Sequence, residues 1–410
     1  MQKIVLKGIG VLLLLIGIAV VFFIFNTLSQ YNKLDQGELN ESFTCDTIPF
    51  TYTQTGHIQI KAKINNSSCD YLFILDSGAG NHIFENFTNS QNLESNGFGI
   101  GVGATKNIFF NKIRKINSIQ IGNAKIDNIN ASEMNFDFDC SEDICGIIGT
   151  GLMKHFVWEI DFKKQIIILS KQLSRTEFTG NEIEIPLSEN RFSHHLSTNI
   201  KFGKNKESKR VLIDLGNSTS LSLEEERLLK DSLTLKEKII LGLGAKGLGK
   251  VNKNKRFNNK YYLLDSLIFS DSNYFVNKVP VLTSRRSLNL LGLKFFMSYK
   301  TIISWKDKML ILVPNDSVQN FIWNTYGFST TYNKDLNKAE ITSIIENSPA
   351  SRVGIELFSE VVSVNDKPLF DSLSYCEYKQ MVNISNTINL GVKYNDSIKT
   401  YTLTKELLFE

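Results

Sequence analysis

Two aspartates stand at the ends of short aliphatic runs, in nearly the same setting. Phe73-Ile74-Leu75-Asp76-Ser77-Gly78 and Val211-Leu212-Ile213-Asp214-Leu215-Gly216 align residue for residue. A carboxylate that follows three core-forming residues is costly to bury, so it needs strong donors or must hold its proton above the ordinary carboxylate range. The glycine two residues later lets the backbone turn sharply and aim N–H groups back at the carboxylate. If the two aspartates met, they could not both ionise easily and would share one proton. One would then act as base toward a bridging water while the other, protonated, donates to a carbonyl oxygen under attack. Taken singly, Asp-Ser-Gly equally fits an Asx-type turn after a core strand. The duplication gives the reading its weight.

That duplication extends over most of the chain. Gly149–Leu169 (GTGLMKHFVWEIDFKKQIIIL) and Gly292–Leu312 (GLKFFMSYKTIISWKDKMLIL) align without gaps, and each glycine follows two aliphatics, Ile147-Ile148 and Leu290-Leu291. A histidine stands 19 residues before each aspartate, His57 and His195, at the opening of a strand-like segment. Between aspartate and later glycine each copy carries Gly-x-Gly-Ala: Gly101-Val102-Gly103-Ala104 and Gly242-Leu243-Gly244-Ala245. These are candidate hairpin tips, where glycine permits close approach to another backbone. Short β-branched runs between Gly, Asn and Asp turns predict strands throughout both copies. Helical signal is confined to short pieces such as Leu223–Leu229 and the turn after each aliphatic-aliphatic-Gly.

With Asp76-Ser77-Gly78-Ala79 and the paired aliphatic-aliphatic-Gly, residues from about 50 to 313 resemble the retropepsin and pepsin clan of aspartic proteases. The resemblance implies a mainly β fold: two tandem β-barrel lobes related by a pseudo-twofold axis, with the aspartates meeting at that axis. It implies that Asp76 and Asp214 are catalytic and that Ser77, Gly78, Ala79 and Gly216 form the active-site loops. In that clan the hydroxyl after each aspartate makes a cross-lobe hydrogen bond. Leu215 has no such group, so Ser77 supplies at best half of the arrangement. Asn217-Ser218-Thr219 offers polar groups nearby. Three readings follow: a dyad within one chain, a non-catalytic peptide-binding or sensor protein that keeps the cleft, and pairing of two first copies between chains.

After Pro314 the repeat stops. Tyr326-Gly327-Phe328, Asn347-Ser348-Pro349-Ala350, Val353-Gly354-Ile355 and Val361-Val362-Ser363-Val364-Asn365-Asp366 resemble a bacterial PDZ domain, with Val353 and Ser359-Glu360 departing from its usual Ala and Gly-Asp. The resemblance implies that Gly327 and Phe328 line a loop for a peptide carboxylate, with the peptide added as a strand. As a whole the chain is similar to bacterial aspartyl-protease-family proteins with two retropepsin-like lobes and a C-terminal PDZ domain. The expected organisation is an anchor or signal over residues 1–28, a first lobe over 45–172, a second over 185–314, and a PDZ-like α+β domain over 322–408.

The amino terminus carries Lys3 and Lys7 ahead of an uncharged apolar run of 17 residues, Ile9–Phe25. That is the short end of a spanning helix. Asn26-Thr27-Leu28-Ser29-Gln30 makes a poor cleavage site, which favours an uncleaved anchor over a cleaved signal peptide or a buried core helix. Lysines before the run and Asp35, Glu38 and Glu41 after it predict that the body faces the extracytoplasmic, periplasmic side. Such a compartment permits disulfides, with Cys140–Cys145 and Cys45–Cys69 as candidate pairs and Cys376 left over as a core thiol. Hydrophobic residues at 42% are sufficient for packed cores, and a net charge of +4 spread along the chain excludes a nucleic-acid footprint. No histidine or cysteine cluster has metal-ligand spacing. The expectation is a membrane-anchored aspartic endopeptidase without cofactor or metal, acting on polypeptides, with a C-terminal peptide as a possible ligand of the last domain.

Overall fold

The computed structural model describes residues 2–103, 108–135, 144–176, 178–202, 208–225, 236–242, 259–270, 272, 274–284, 288–315, 321–334, 336–395 and 397–409. A helix, Gln2–Leu34, is followed almost entirely by strands. Its Leu12–Leu34 stretch is long and apolar enough to cross a membrane.

Some strands form where apolar residues recur at every second position, and others, such as Ile144–Ile148, are continuous buried runs. In Ile58–Ile64 the side chains of Ile58, Ile60, Ala62 and Ile64 are buried while Gln59, Lys61 and Lys63 point outward. Tyr71–Leu75 lies parallel to Ile144–Ile148, which pairs antiparallel with His82–Phe84. His82–Phe84 in turn lies parallel to Ala124–Met134. The pairing recurs in the second half. Ser208–Asp214 lies parallel to Leu290–Gly292, which pairs antiparallel with Leu221–Glu224, itself parallel to Phe275–Ser284. Even the register repeats, Leu75 opposite Ile148 and Ile213 opposite Leu291. Each half adds a hairpin: Ser95–Val102 with Ile108–Ile121, and Lys236–Gly242 with Asn259–Phe269.

The repeated aliphatic-aliphatic-Gly passes hard against the loop that follows the aspartate. A Cβ on Gly149 would lie 2.2 Å from the Gly80 carbonyl oxygen, and one on Gly292 2.2 Å from that of Thr219. Only glycine fits there. The short helices expected after it are present, Thr150–Met153 and Leu293–Phe296.

A six-stranded sheet joins the halves. Cys45–Pro49, Val157–Asp161 and Ile166–Ser170 come from the first, and Ile183–Pro186, Tyr299–Ser304 and Met309–Pro314 from the second. Its central seam pairs Val157–Asp161 with Tyr299–Ser304. One buried core runs through both halves, with Trp158, Phe295, Phe296 and Tyr299 fully enclosed. Phe321 belongs to it, stacked on Phe295 at 5.0 Å.

Residues from Asn324 onward form a smaller unit of strands and the helices Pro349–Arg352 and Ser372–Ile384, with its own core around Ile341, Val364, Tyr375 and Leu390. It is not separate from the second half. Its strand Lys338–Ile345 pairs antiparallel with Lys236–Gly242, so one sheet runs through both. Leu263 also packs with Leu408 and Phe409.

Three expectations change. Leu223 and Glu224 are not helical but close the strand Leu221–Glu224, which has strand partners on both edges; Glu225 is helical, and residues 226–229 lie outside the described residues. Cys45 and Cys69 are exposed free thiols, one on an outer strand of the joining sheet and one in a turn, so that pair is not formed. Cys376 is not a leftover core thiol: it is disulfide-bonded and only half-buried. Cys140 lies outside the described residues.

Removing residues 322–410 leaves the joined core intact but strips Lys236–Gly242 of an edge partner. The truncated chain is expected to unfold cooperatively, with faster amide exchange over residues 239–242 and self-association through the bared edge. Loss of cooperative unfolding would show that the last unit is needed to fold the halves.

Candidate active site

The strands Tyr71–Leu75 and Ser208–Asp214 deliver their aspartates to one place. Asp76 and Asp214 are 6% and 8% exposed. Each turn supplies a donor to its own carboxylate: Gly78 N–H to Asp76 Oδ1 at 2.8 Å, Gly216 N–H to Asp214 Oδ1 at 2.9 Å. Each turn also seats the other carboxyl. A Cβ on Gly78 would lie 2.3 Å from Asp214 Cγ, and one on Gly216 2.2 Å from Asp76 Cγ. The two carboxyls share a hydrogen bond. Burial, then the charge of Asp76 and that shared bond, hold the Asp214 carboxyl well above the usual carboxylate range, although the N–H groups of Gly216 and Asn217 pull the other way.

The loops are tied across the halves on one side only by a hydroxyl. Ser77 Oγ, fully buried, donates to the Ile213 carbonyl at 2.8 Å and accepts from Leu215 N–H at 3.0 Å. Leu215 returns no such bond and packs, 0% exposed, in the common core. Asn217 and Thr219 do not replace it. Asn217 Oδ1 accepts from the Thr219 hydroxyl at 3.1 Å, and Asn217 Nδ2 donates to Ser222 Oγ at 3.2 Å, all within the second half. Ala79 holds the loop to the short helix by accepting from Thr150 N–H at 2.8 Å.

Sequence reasoning gave His57 and His195 no role, yet both reach the site. His195 Nε2 bonds the Gly78 carbonyl at 2.9 Å and Nδ1 bonds Ser193 Oγ at 2.8 Å. His57 lies against the Gly216 backbone, and its Nδ1 meets Thr55 Oγ1 at 2.8 Å. Each histidine thus reaches the opposite half's aspartate turn, and His195 bonds it. A carbonyl can only accept, so Nε2 of His195 carries the proton and Nδ1 of the neutral ring takes one from the hydroxyl. Burial lowers the pKa of both rings, with the charge of Asp76 opposing it. The signal was present: a hydroxyl residue stands two positions before each histidine, Thr55 and Ser193.

Gly101, Val102 and Gly103 lie where the first hairpin turns, while Ala104 is outside the described residues. Gly242 ends its strand, and Leu243, Gly244 and Ala245 are outside. Gly327 and Phe328 lie in the last unit. Gly327 adopts φ +84° beside Ser348, whose side chain caps the helix Pro349–Arg352, and the Gly327 carbonyl accepts from Ile345 N–H at 2.7 Å. Phe328 opens a strand whose Thr330 and Tyr332 pack on Tyr375 of the longer helix. At that helix's far end, Asn383 Nδ2 donates to the Gln54 carbonyl at 2.6 Å, in the turn before His57.

No protein-family model and no curated protein matches the sequence. Among solved structures, an aspartic proteinase from Irpex lacteus aligns with a TM-score of 0.42 and 11% identity, over 67% of this chain and 100% of that one.

Two outcomes follow. A raised Asp214 pKa means stability at low pH that is lost as pH rises from about 4 through the folded value. Asp214→Asn is therefore expected to be more stable than the parent at pH 7, by about 1 kcal/mol or more, with the gain vanishing near pH 4. The buried histidines titrate in both proteins and cancel in the difference, so a pH-independent difference in thermal or urea unfolding would refute the carboxyl coupling. His195→Ala leaves the Gly78 carbonyl without its donor and should cost about 1–3 kcal/mol. His195→Gln, which keeps an N–H donor of similar reach, should recover part of that loss in the same assay.

Proposed function

We propose that this chain is a membrane-anchored aspartic endopeptidase, with Asp76 and Asp214 as its catalytic pair in a retropepsin- and pepsin-like body of two lobes. The observation that carries the reading is the reciprocal seating of the two carboxyls, each packed on the other's glycine turn and bonded to its partner. Two carboxyls in this relation hold one proton between them and titrate as a unit. The ionised member takes a proton from water as its oxygen attacks the peptide carbonyl carbon. The protonated member donates to the carbonyl oxygen, stabilising the tetrahedral adduct. Collapse of the adduct breaks the C–N bond, and the amine leaves with a proton returned by the pair. Ser77 and His195 keep the turns in place for these steps.

The helix Gln2–Leu34 supports the anchoring part of this reading, with the body on the extracytoplasmic side. The last unit is read as a PDZ-like domain over 322–408 that recruits or gates polypeptides. Its strand Phe328–Asn333 pairs with Lys338–Ile345 along one edge, and the other edge is where an added peptide strand would lie. Leu215 favours a second reading, a peptide-binding or sensor protein that keeps the cleft without the chemistry, because the hydroxyl tie between the loops is made from one side alone.

Cleavage of a peptide library from acid to neutral pH separates the two. Asp76→Asn and Asp214→Asn are each expected to lose at least about 10²–10⁴-fold in rate, and a mixture of the two variants should stay inactive. Full activity in Asp214→Asn would overturn the single-chain pair. Absence of any cleavage by the parent protein would favour the binding reading and point to Leu215 as the lesion.

A further inference from the structure

The amino-terminal helix and the first hairpin run beside each other, and two contacts fix their relative direction. Gln30 lies along the outer edge of the strand Ser95–Val102: its Nε2 donates to the Ile100 carbonyl at 2.8 Å and its Oε1 accepts from Ile100 N–H at 2.7 Å. Three residues further along the helix, Lys33 Nζ donates to the Asn96 carbonyl at 2.6 Å. Moving back along the helix from Lys33 to Gln30 therefore moves along the strand from Asn96 to Ile100. The far end of the hairpin points toward the apolar run that ends at Phe25. From Gln30 to Phe25 the helix rises about 7.5 Å, and from Ile100 to Val102 the strand rises about 7 Å. Val102, with Ile108 opposite it, thus lies on the side of Ile100 that faces the apolar run.

One face of that hairpin is apolar toward its far end, with Lys112 opposite Phe98 at its base. Ile100 pairs with Phe110 and Val102 with Ile108, and Phe98 lies on the same face two residues back. Phe98, Val102, Ile108 and Phe110 are 72%, 63%, 69% and 74% exposed. The opposite face holds glycines: a Cβ on Gly99 would meet Gln30 at 2.8 Å, and one on Gly101 would meet the Phe109 ring at 2.2 Å. So large an open apolar patch in water is a liability, and it calls for an apolar partner. From the second half, Phe192 packs on Tyr31 of the same helix at 5.5 Å.

We propose that the outer face of this hairpin lies in the interfacial layer of the bilayer that the helix crosses, as a second, non-spanning membrane contact. The inference rests on the anchoring reading above. It holds the cleft against the membrane surface, so that the substrates in reach are membrane-proximal polypeptide segments. Phenylalanine and aliphatic side chains standing about 5–10 Å deep in that layer are what such a contact requires.

The test uses the full-length protein reconstituted in phosphatidylcholine–phosphatidylglycerol vesicles whose acyl chains carry bromine at shallow or deep positions. Phe110→Trp reports the hairpin, Phe22→Trp the helix and Phe358→Trp an exposed site in the last unit, each corrected for the parent's own tryptophans. Phe110→Trp emission is expected to fall at least about twofold with shallow bromine, consistent with that depth, Phe22→Trp with deep bromine, and Phe358→Trp with neither. Quenching of Phe22→Trp without quenching of Phe110→Trp overturns the hairpin contact and leaves the anchor standing. Quenching of neither overturns the anchor, and the hairpin contact with it. Quenching of Phe110→Trp that disappears with a saturating statine-type peptide inhibitor assigns the face to the cleft ligand and also overturns the proposal.

Discussion

Two carboxyl groups pressed together out of water can persist only if something holds them there and one proton stays between them. The ionised pair would repel across a few ångströms in a medium that screens poorly. Several local features of the two halves answer that problem. Gly78 and Gly216 give up a side chain so that each opposing carboxyl can settle on bare backbone. Gly149 and Gly292 let the strand behind pass close enough to brace the turn. The parallel pairing of Tyr71–Leu75 with Ile144–Ile148, and of Ser208–Asp214 with Leu290–Gly292, sets both aspartates at equal depth.

Closure of the halves is shared between two kinds of force. The joining sheet and the common core supply most of the adhesion, which is not directional. Direction comes from a few buried polar ties: Ser77 to Ile213 and Leu215, and His195 to Gly78. With Leu215 in place of a hydroxyl residue, His195 supplies from the second half a tie that Leu215 does not make. Neutral imidazole suits this position because it donates at one nitrogen and accepts at the other.

What could be read from the sequence was whatever repeated locally. The aspartate turns, the aliphatic-aliphatic-Gly braces and the short helices after them follow from side-chain pattern within a few residues, and the structure has the two braces at matching register. Pairings between distant backbones left no such trace. Cys45–Pro49 reads as an isolated strand until Ile166–Ser170 lies beside it, and Lys236–Gly242 gives no hint that Lys338–Ile345 is its neighbour. Ladder hydrogen bonds are made by groups common to every residue, so the identity of the partner is not written in either segment. His195 was visible as part of a repeat but not as a tie, because its partner lies 117 residues away, across the halves. Of Leu223–Leu229, the first two residues close a strand because strand partners lie on both its edges, while Glu225 is helical.

Both hairpins are leashed to something outside the cleft, and to different things. The first has its outer strand pinned by Gln30 and Lys33 of the amino-terminal helix, and the second has its outer strand extended by Lys338–Ile345 of the last unit. A hairpin that lifts must drag its leash or break it, and the breaking points differ. One is three side-chain bonds from two residues at the end of a helix, and the other is a run of backbone pairs reinforced by Glu346 N–H on the Ile239 carbonyl at 2.9 Å. The molecule is thus mechanically lopsided, with a lightly latched side tied to the helix and a heavily sewn side that moves only as one body with the carboxy-terminal unit.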